Sequence, residues 1–398
     1  MKLGKTEEFI IPVGPQHPAL KEPENFTIKV DGEYVVDAKI RPGYNHRGIE
    51  KATESRTYIQ ILYLLERVCG ICSICHMTNF CLAVEEAMNL EVPARANYIR
   101  TIMHEIERLH SHSLWLGVAA HEIGFDTLFY YIWRDREVIM DLTERISGNR
   151  VNKAIPTIGG VRRDIPPELI RDLRKGLDVF EERIKYYKSL ILKENTILNR
   201  AVGVGILTPH DAVALAAVGP TLRASGIKSD VRADDPYLVF DEIPFNVMTH
   251  DGCDVASRVI VRCDEMLESI NVIRYCLDHL PDGPIRVKVP VIVRVPEAEV
   301  ISLWEAPRGE LIHYLKSTGG TMPYRYKIRS PTLGNLPAVQ KMLIGNYIAD
   351  VPIIIAAIDP CFSCTDRMTF VNVNTEKSWV WNNEQLRRYG NKWYQQNS

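Results

Sequence analysis

Glu66-Arg67-Val68-Cys69-Gly70-Ile71-Cys72-Ser73-Ile74-Cys75-His76 is the stretch around which this chain reads, together with a counterpart near the other end, Asp359-Pro360-Cys361-Phe362-Ser363-Cys364-Thr365-Asp366-Arg367. A Cys-x-x-Cys unit offers two thiolates on one short arc of backbone, and two such units can close four sulfurs around a soft transition metal. The pairs stand far apart in sequence, so the site forms only when the whole chain is folded. One reading is a zinc staple, although such staples usually tie down small modules. The other is a redox or catalytic metal, which needs a fixed shell of polar partners as well as soft ligands. Arg67 and His76 flank the first pair and Asp359 precedes the second. His76 lies one helical turn beyond Cys72, so its imidazole can point back at that sulfur and lower its basicity.

Working outward, the N-terminal part is β-rich. Phe9 to Val13, Asn25 to Val30 and Tyr34 to Arg41 are short strand-like runs, the last two joined by a turn at Asp31-Gly32. From about Thr53 the period turns helical, over Ser55 to Arg67, Cys72 to Met88, Pro93 to Ala120 and Asp126 to Ser147. Pro166-Pro167 opens another long helix, and Asp254 to Leu280 is helical again. Gly159 to Asp164 reads as a polar loop. Ile285 to Val295 and Tyr324 to Ile328 read as strands, Leu336 to Ile348 as a helix, and Val351 to Ile358 as a short helix or a buried strand. The expected fold is α+β and mostly α, a central helical bundle flanked by β elements from both chain ends. Residues 1–52 would form the N-terminal β region, 53–280 the bundle with the first cysteine pair, 281–367 an α+β region with the second pair, and 368–398 an extension. All four would build one compact catalytic domain.

The 398 residues are 46% hydrophobic and 25% charged, ordinary globular values, and the net charge of −2 at pH 7 gives no basic field for nucleic acid. No signal peptide or membrane span is expected, because no apolar run approaches the about 20 residues a bilayer needs. Nine cysteines, an odd count, suit reduced thiols in the cytoplasm. Cys253, Cys263 and Cys276 read as buried small hydrophobes, and His104, His110, His112 and His121 as packing and hydrogen-bonding groups.

The motifs Arg67-x-Cys69-Gly70-x-Cys72-x-x-x-His76 and Asp359-Pro360-Cys361-x-x-Cys364-x-x-Arg367 resemble the two signatures of nickel–iron hydrogenase large subunits. Gly14-Pro15-Gln16-His17-Pro18 and His46-Arg47-Gly48-Ile49-Glu50 are similar to segments of the quinone-binding subunit of respiratory complex I, and Glu305 to Leu311 is shared by both families. The resemblance runs over nearly the whole chain. It points to the catalytic subunit of the membrane-bound, energy-converting (Ech-like) hydrogenases, because complex I subunits have lost the cysteines.

The resemblance implies that Cys69, Cys72, Cys361 and Cys364 hold nickel, with Cys72 and Cys364 bridging to an iron that carries carbonyl and cyanide ligands. It implies that Glu22 relays protons, that Arg308 hangs over the metals with Asp359 orienting it, and that His76 supports them. Glu50 is the candidate for a structural divalent ion such as magnesium, or else pairs with Arg47, and His17 occupies a quinone-site position. The tail beyond Arg367 would be removed by a dedicated protease after maturation factors insert nickel, unless the enzyme keeps it. Beyond the cysteines of the two motifs the chain has no further set with iron–sulfur spacing. Electrons would therefore pass through a small iron–sulfur subunit, fed by ferredoxin, with membrane subunits coupling the reaction to ion translocation and this subunit peripheral on the cytoplasmic side of the membrane. The alternative is a complex I-like subunit of an NADH- or ferredoxin-linked quinone oxidoreductase, binding quinone without nickel.

Overall fold

The computed structural model describes residues 8–365, 370–371, 378–379 and 383–397. The first sheet is an antiparallel ladder of β1 (Glu8–Val13), β2 (Asn25–Asp31) and β3 (Tyr34–Arg41). Strict alternation along β2 puts Phe26, Ile28 and Val30 inside, as a period of two requires. Two short helices, α1 (Ile49–Thr53) and α2 (Tyr58–Leu65), lead through the first cysteine pair into α3 (Ser73–Ala87). Then come the long α4 (Ala94–Ile123) and α5 (Asp126–Ser147), each stopped by a glycine in the left-handed region, Gly124 and Gly148.

A small hairpin, β4 (Pro156–Thr157) and β5 (Gly160–Val161), precedes α6 (Pro167–Ile191). Four short helices follow, α7 (Asn195–Ala201), α8 (Pro209–Ala214), α9 (Pro220–Arg223) and α10 (Val231–Asp234), and then α11 (Val255–Asp278). The second sheet is β6 (Glu297–Ala306), β7 (Gly309–Thr318) and β8 (Arg325–Arg329), antiparallel throughout. α12 (Pro331–Leu343) and α13 (Val351–Ala356) carry the chain to the second cysteine pair, which lies on a 3₁₀ turn at Phe362–Cys364. A short β9–β10 ladder (Phe370–Val371, Ser378–Trp379) and α14 (Asn383–Asn397) complete the described residues. The α+β, mostly helical architecture is the one the periodicity implied.

Three cores meet around the cysteines. The largest joins α4, α5, α6 and α11. A second packs α2 and α3 on β6, β7 and β8 and contains Cys69, Cys72, Cys361 and Cys364. The third packs the first sheet on α12 and α13 and includes Phe362. α4 threads the junction carrying buried Arg100, Glu105, Glu107 and Arg108. Each of these charges is paired, which is what permits them in a core. Glu105 bonds Arg108 and Arg232, Arg232 bonds Asp230, and Arg223 joins Asp230, Glu265 and Glu305.

Four local readings differ from expectation. Ile285 to Val295 is not a strand of the second sheet. Pro290 and Pro296 lack ladder donors, and the segment bonds the β4–β5 hairpin instead, through Val161 N–H to the Ile285 carbonyl and Val287 N–H to the Gly159 carbonyl. Residues 159–164 therefore begin in a buried hairpin rather than a polar loop. α12 starts at Pro331, not Leu336, with Pro337 accommodated inside it. Cys253 is only half-buried, in a turn with φ of 64° ahead of α11, whereas Cys263 and Cys276 are buried as expected. Val351 to Ala356 is helical.

Candidate metal centre

The two cysteine pairs converge. Cys69 Sγ lies 3.2 Å from Cys361 Sγ, Cys361 Sγ 3.0 Å from Cys364 Sγ, and Cys72 Sγ 3.9 Å from Cys364 Sγ. All four are buried free thiols. Sulfurs bonded to one metal at about 2.3 Å lie no more than about 4.6 Å apart, so this donor set fits a thiolate-ligated ion. His76 Nε2 stands 3.5 Å from Cys364 Sγ, and Cys72, His76 and Cys364 form a second group within ligand reach of one another. Hydrogen bonds from Cys361, Cys364 and Cys72 hold the Cys69 thiol well below its ordinary value.

The first pair is placed by the start of a helix. Cys72 is the residue before α3, and the N–H groups of Ile71 and Cys72 point at Cys69 Sγ at 3.3 and 3.4 Å. The next free N–H groups, of Ile74 and Cys75, are capped by the Glu107 carboxylate of α4 at 2.9 Å each. Lys153 pairs with Glu107 at 2.8 Å, and both are buried. One guanidinium then ties the two cysteine segments together. Arg47 donates to the carbonyls of Arg67 at 2.9 Å and Val68 at 2.8 Å, and to that of Ser363 at 2.7 Å.

Arg308 reaches the pocket from the two-residue turn between β6 and β7, where Ala306 pairs with Gly309. Gly309 has φ of 124°, and a Cβ there would lie 2.7 Å from the Gly219 nitrogen. Glycine at both positions lets the turn press against the backbone before α9 and enter the core. Arg308 donates through Nε to the Asp359 carbonyl at 2.7 Å, through Nη2 to Asp359 Oδ1 at 2.8 Å and through Nη1 to Ser111 Oγ at 3.3 Å. Burial opposes its charge, yet Asp359 and the thiols of Cys361, Cys69 and Cys72 hold it well above its ordinary value. Burial pushes the Asp359 carboxyl up, against the pull of Arg308 and Arg262.

Glu22 comes from the loop between β1 and β2. Its carboxylate accepts from Ser363 N–H at 2.8 Å and Ser363 Oγ at 2.6 Å, inside the second Cys-x-x-Cys. Glu22, Arg308, Asp359, Cys361 and the apolar Leu114, Trp115 and Ile355 line a cavity of about 200 Å³. Glu50 turns to β8, accepting from Ile328 N–H at 3.0 Å, with Arg325 at 3.6 Å. His17 is exposed and accepts from Ala19 N–H at 3.2 Å. Arg67 is exposed, bonded to the Tyr63 carbonyl and Glu66. Arg367 lies outside the described residues.

The histidines of α4 serve elsewhere. His104 accepts from Trp304 Nε1 at 3.1 Å, His112 bonds Glu265 at 2.9 Å, and His121 meets Asp126 at the surface. Sequence reasoning missed Glu107, Ser363 and Ser111, and saw Arg47 only as a partner for Glu50. The signal for Glu107 was present: α4 has charges on every face, so some of them had to be buried and paired.

The fold brings four buried thiols into one pocket whose donor set fits a metal ion, and the relatives make the chain an oxidoreductase. The family model described as respiratory-chain NADH dehydrogenase, 49 Kd subunit, matches residues 122–294 and 289–367, and the nickel-dependent hydrogenase model matches residues 47–117. The chain is 42% identical to the membrane-bound hydrogenase subunit alpha of Pyrococcus furiosus, over 93% of this chain and 90% of that one. It is 37% identical to an NADH-quinone oxidoreductase subunit of Rhizobium etli, over 91% of this chain and 96% of that one. Among solved structures, one of the membrane-bound sulfane sulfur reductase, an archaeal respiratory membrane complex, superimposes with a TM-score of 0.87 at 32% identity, covering 92% of this chain and 100% of that one. The chain belongs to the family of membrane-bound nickel–iron hydrogenase large subunits, which is related to the 49 kDa, quinone-binding subunit of respiratory complex I. Among the described residues no helix is long and apolar enough to cross a membrane.

Proposed function

We propose that this chain interconverts dihydrogen with protons and electrons at a nickel–iron centre held by Cys69, Cys72, Cys361 and Cys364. The observation that carries this reading is the convergence of four buried thiols beside Arg308, Asp359 and Glu22. Bound there, the metal pair, its iron carrying carbonyl and cyanide, supplies an open position at which dihydrogen is polarised and split. Cys72 and Cys364, which lie beside His76, would hold both metals, and Cys69 and Cys361 would hold the nickel as its terminal ligands. Arg308, held in place by Asp359 and Ser111, presents a permanent charge and directional donors to the open side. Glu22 takes the proton from the terminal thiol and passes it outward. Leu114, Trp115 and Ile355 keep the cavity dry.

Glu50 with magnesium and His17 at a quinone-like position complete the candidate residues, and Arg367 marks the cleavage point for a maturation protease. Electrons travel by way of an iron–sulfur partner subunit exchanging with ferredoxin. Membrane subunits couple the reaction to ion movement, and this subunit sits peripherally on the cytoplasmic face of the membrane. The relationship to complex I subunits favours one rival, a quinone-reducing subunit. Nickel analysis of the purified complex, with hydrogen uptake into an artificial acceptor, separates the two. About one nickel per chain with uptake is expected, and a nickel-free complex that reduces quinone refutes the proposal.

A further inference from the structure

The hydrogen-bond chain that reaches Cys364 does not end at His76. His76 Nδ1 lies 3.2 Å from His313 Nε2, and His313 Nδ1 lies 2.5 Å from the Tyr326 hydroxyl. The two imidazole planes differ by 19° with centroids 5.4 Å apart, so with this nitrogen–nitrogen contact the rings meet edge to edge. His313 stands in mid β7 and Tyr326 on neighbouring β8, with Phe80 of α3 set edge-on against the tyrosine at 5.4 Å. All three members are buried, at 1%, 0% and 0% exposure for His76, His313 and Tyr326.

The chain has a direction. Both imidazoles are fully buried, and among the described hydrogen bonds neither ring meets a carboxylate, so each is held neutral. A neutral imidazole has one N–H donor and one bare acceptor nitrogen, and a tyrosine hydroxyl has one hydrogen. Only two arrangements satisfy both histidine contacts. In one, Tyr326 donates inward and every proton points toward the sulfur. In the other, every proton points outward, Cys364 must be a protonated thiol, and the Tyr326 hydrogen must find an acceptor other than His313. Among the described hydrogen bonds the Tyr326 hydroxyl has His313 as its partner. A buried hydroxyl hydrogen without an acceptor costs about 1–3 kcal/mol. Cys364, as a sulfur shared by both metals in the reading above, would be a thiolate with no hydrogen to give. The two ends of the chain therefore select the same direction.

We propose that Tyr326 and His313 are positioning residues that lock a one-way chain, Tyr326 O–H to His313 Nδ1, His313 Nε2–H to His76 Nδ1, and His76 Nε2–H to Cys364 Sγ. The sulfur of Cys364 is thereby held as a permanent hydrogen-bond acceptor, which draws electron density from it and tunes the site toward easier reduction. The sulfur end of this argument rests on the nickel–iron reading proposed above, while the Tyr326 end stands without it.

The test is solid-state NMR on the full-length subunit in its complex, with isotopic nitrogen only in histidine and assignments from His313→Gln. Protonated Nε2 and bare Nδ1 are expected at both His76 and His313. Tyr326→Phe keeps the ring and removes the starting donor, so both signals should shift toward a mixture of tautomers. Phe80→Leu loosens the same packing without touching the chain and should leave the tautomers unchanged. A protonated Nδ1 at either histidine in the unsubstituted protein overturns the proposal. So does a Tyr326→Phe spectrum identical to the parent, or a Phe80→Leu shift as large as that of Tyr326→Phe. Nickel is measured on the same samples, so a nickel-free complex with the expected tautomers supports the Tyr326 chain while refuting the metal reading.

Discussion

Replacing Glu107 by Gln should unseat the first cysteine pair from a distance. In the native chain Glu107 Oε1 accepts from Ile74 N–H at 2.9 Å, Ser73 Oγ at 3.2 Å and Lys153 Nζ at 2.8 Å, and Oε2 accepts from Cys75 N–H at 2.9 Å. The amide keeps one oxygen, so an NH₂ group must face one of the two helix N–H donors. It also leaves Lys153, 1% exposed, without its counter-charge. Breaking a buried ion pair from one side costs about 3–5 kcal/mol. Adding Lys153→Met removes the orphaned ammonium and should recover most of that, leaving the amide mismatch at about 1–3 kcal/mol. Urea unfolding of the full-length subunit measures the cycle, and a coupling of at least about 2 kcal/mol between the substitutions is expected. Nickel content of Glu107→Gln should fall too, because Cys72 sits at the helix start that Glu107 caps. Destabilisation under about 1 kcal/mol in Glu107→Gln, or purely additive effects, refutes the reasoning.

Three further outcomes are expected. Glu22→Gln should retain its metal while slowing proton exchange with dihydrogen roughly a hundredfold, the low end for losing a positioned acid–base group; unchanged exchange in a metal-replete variant removes Glu22 from the path. Arg47→Ala should cost about 1 kcal/mol for each of its four carbonyl contacts, three of them to the cysteine segments, and lower nickel retention. Arg47→Lys should not restore it, since one ammonium cannot span the segments that the guanidinium fork joins; full retention in Arg47→Lys argues against the bridge. The fold should also weaken in acid. Burial, first of all, pushes His76 and His112 down to about 4, His104 to about 3, and His110 and His313 well below the ordinary value. Between about pH 6.5 and 4 the unfolded chain binds protons that the folded chain refuses, so stability falls as pH drops through that window. Glu305, raised to about 7 chiefly by burial, and Glu66 and Asp359, also raised first of all by burial, act in the opposite sense above their unfolded values, but five imidazoles outweigh three carboxyls. A thermal midpoint at pH 5 equal to or above that at pH 7 would contradict this balance.

The surroundings of the thiols show how little of this site is made by any one segment. The first pair depends on the start of α3, which depends on a carboxylate from α4 and a lysine beyond α5. The second pair is held by Glu22 from the β1–β2 loop and by Arg47 just before α1. Arg308 is brought in by a hairpin tip pressed against the backbone ahead of α9.

Much of this was legible in order along the chain. Helical periodicity marked α3 to α6 and α11 because each buries an apolar stripe of regular spacing, and the alternation in β2 marked the first sheet. The paired Cys-x-x-Cys units announced a thiolate site because that spacing suits little else. The β6–β7 hairpin was harder to see, since its inward positions include Ser302, Glu305, His313 and Ser317, polar residues that blur an apolar alternation. Their burial is decided by partners such as Asn79, Arg223, His76 and Tyr58, which lie far away in sequence. The same holds for the site. Residue types and local spacing set which atoms can ligate a metal. Which carboxylate caps the helix, which arginine joins the two cysteine segments, and which tyrosine orients the histidine beside Cys364 were decided only when the three cores closed on one another. Each is a contact between segments whose separation no local pattern encodes.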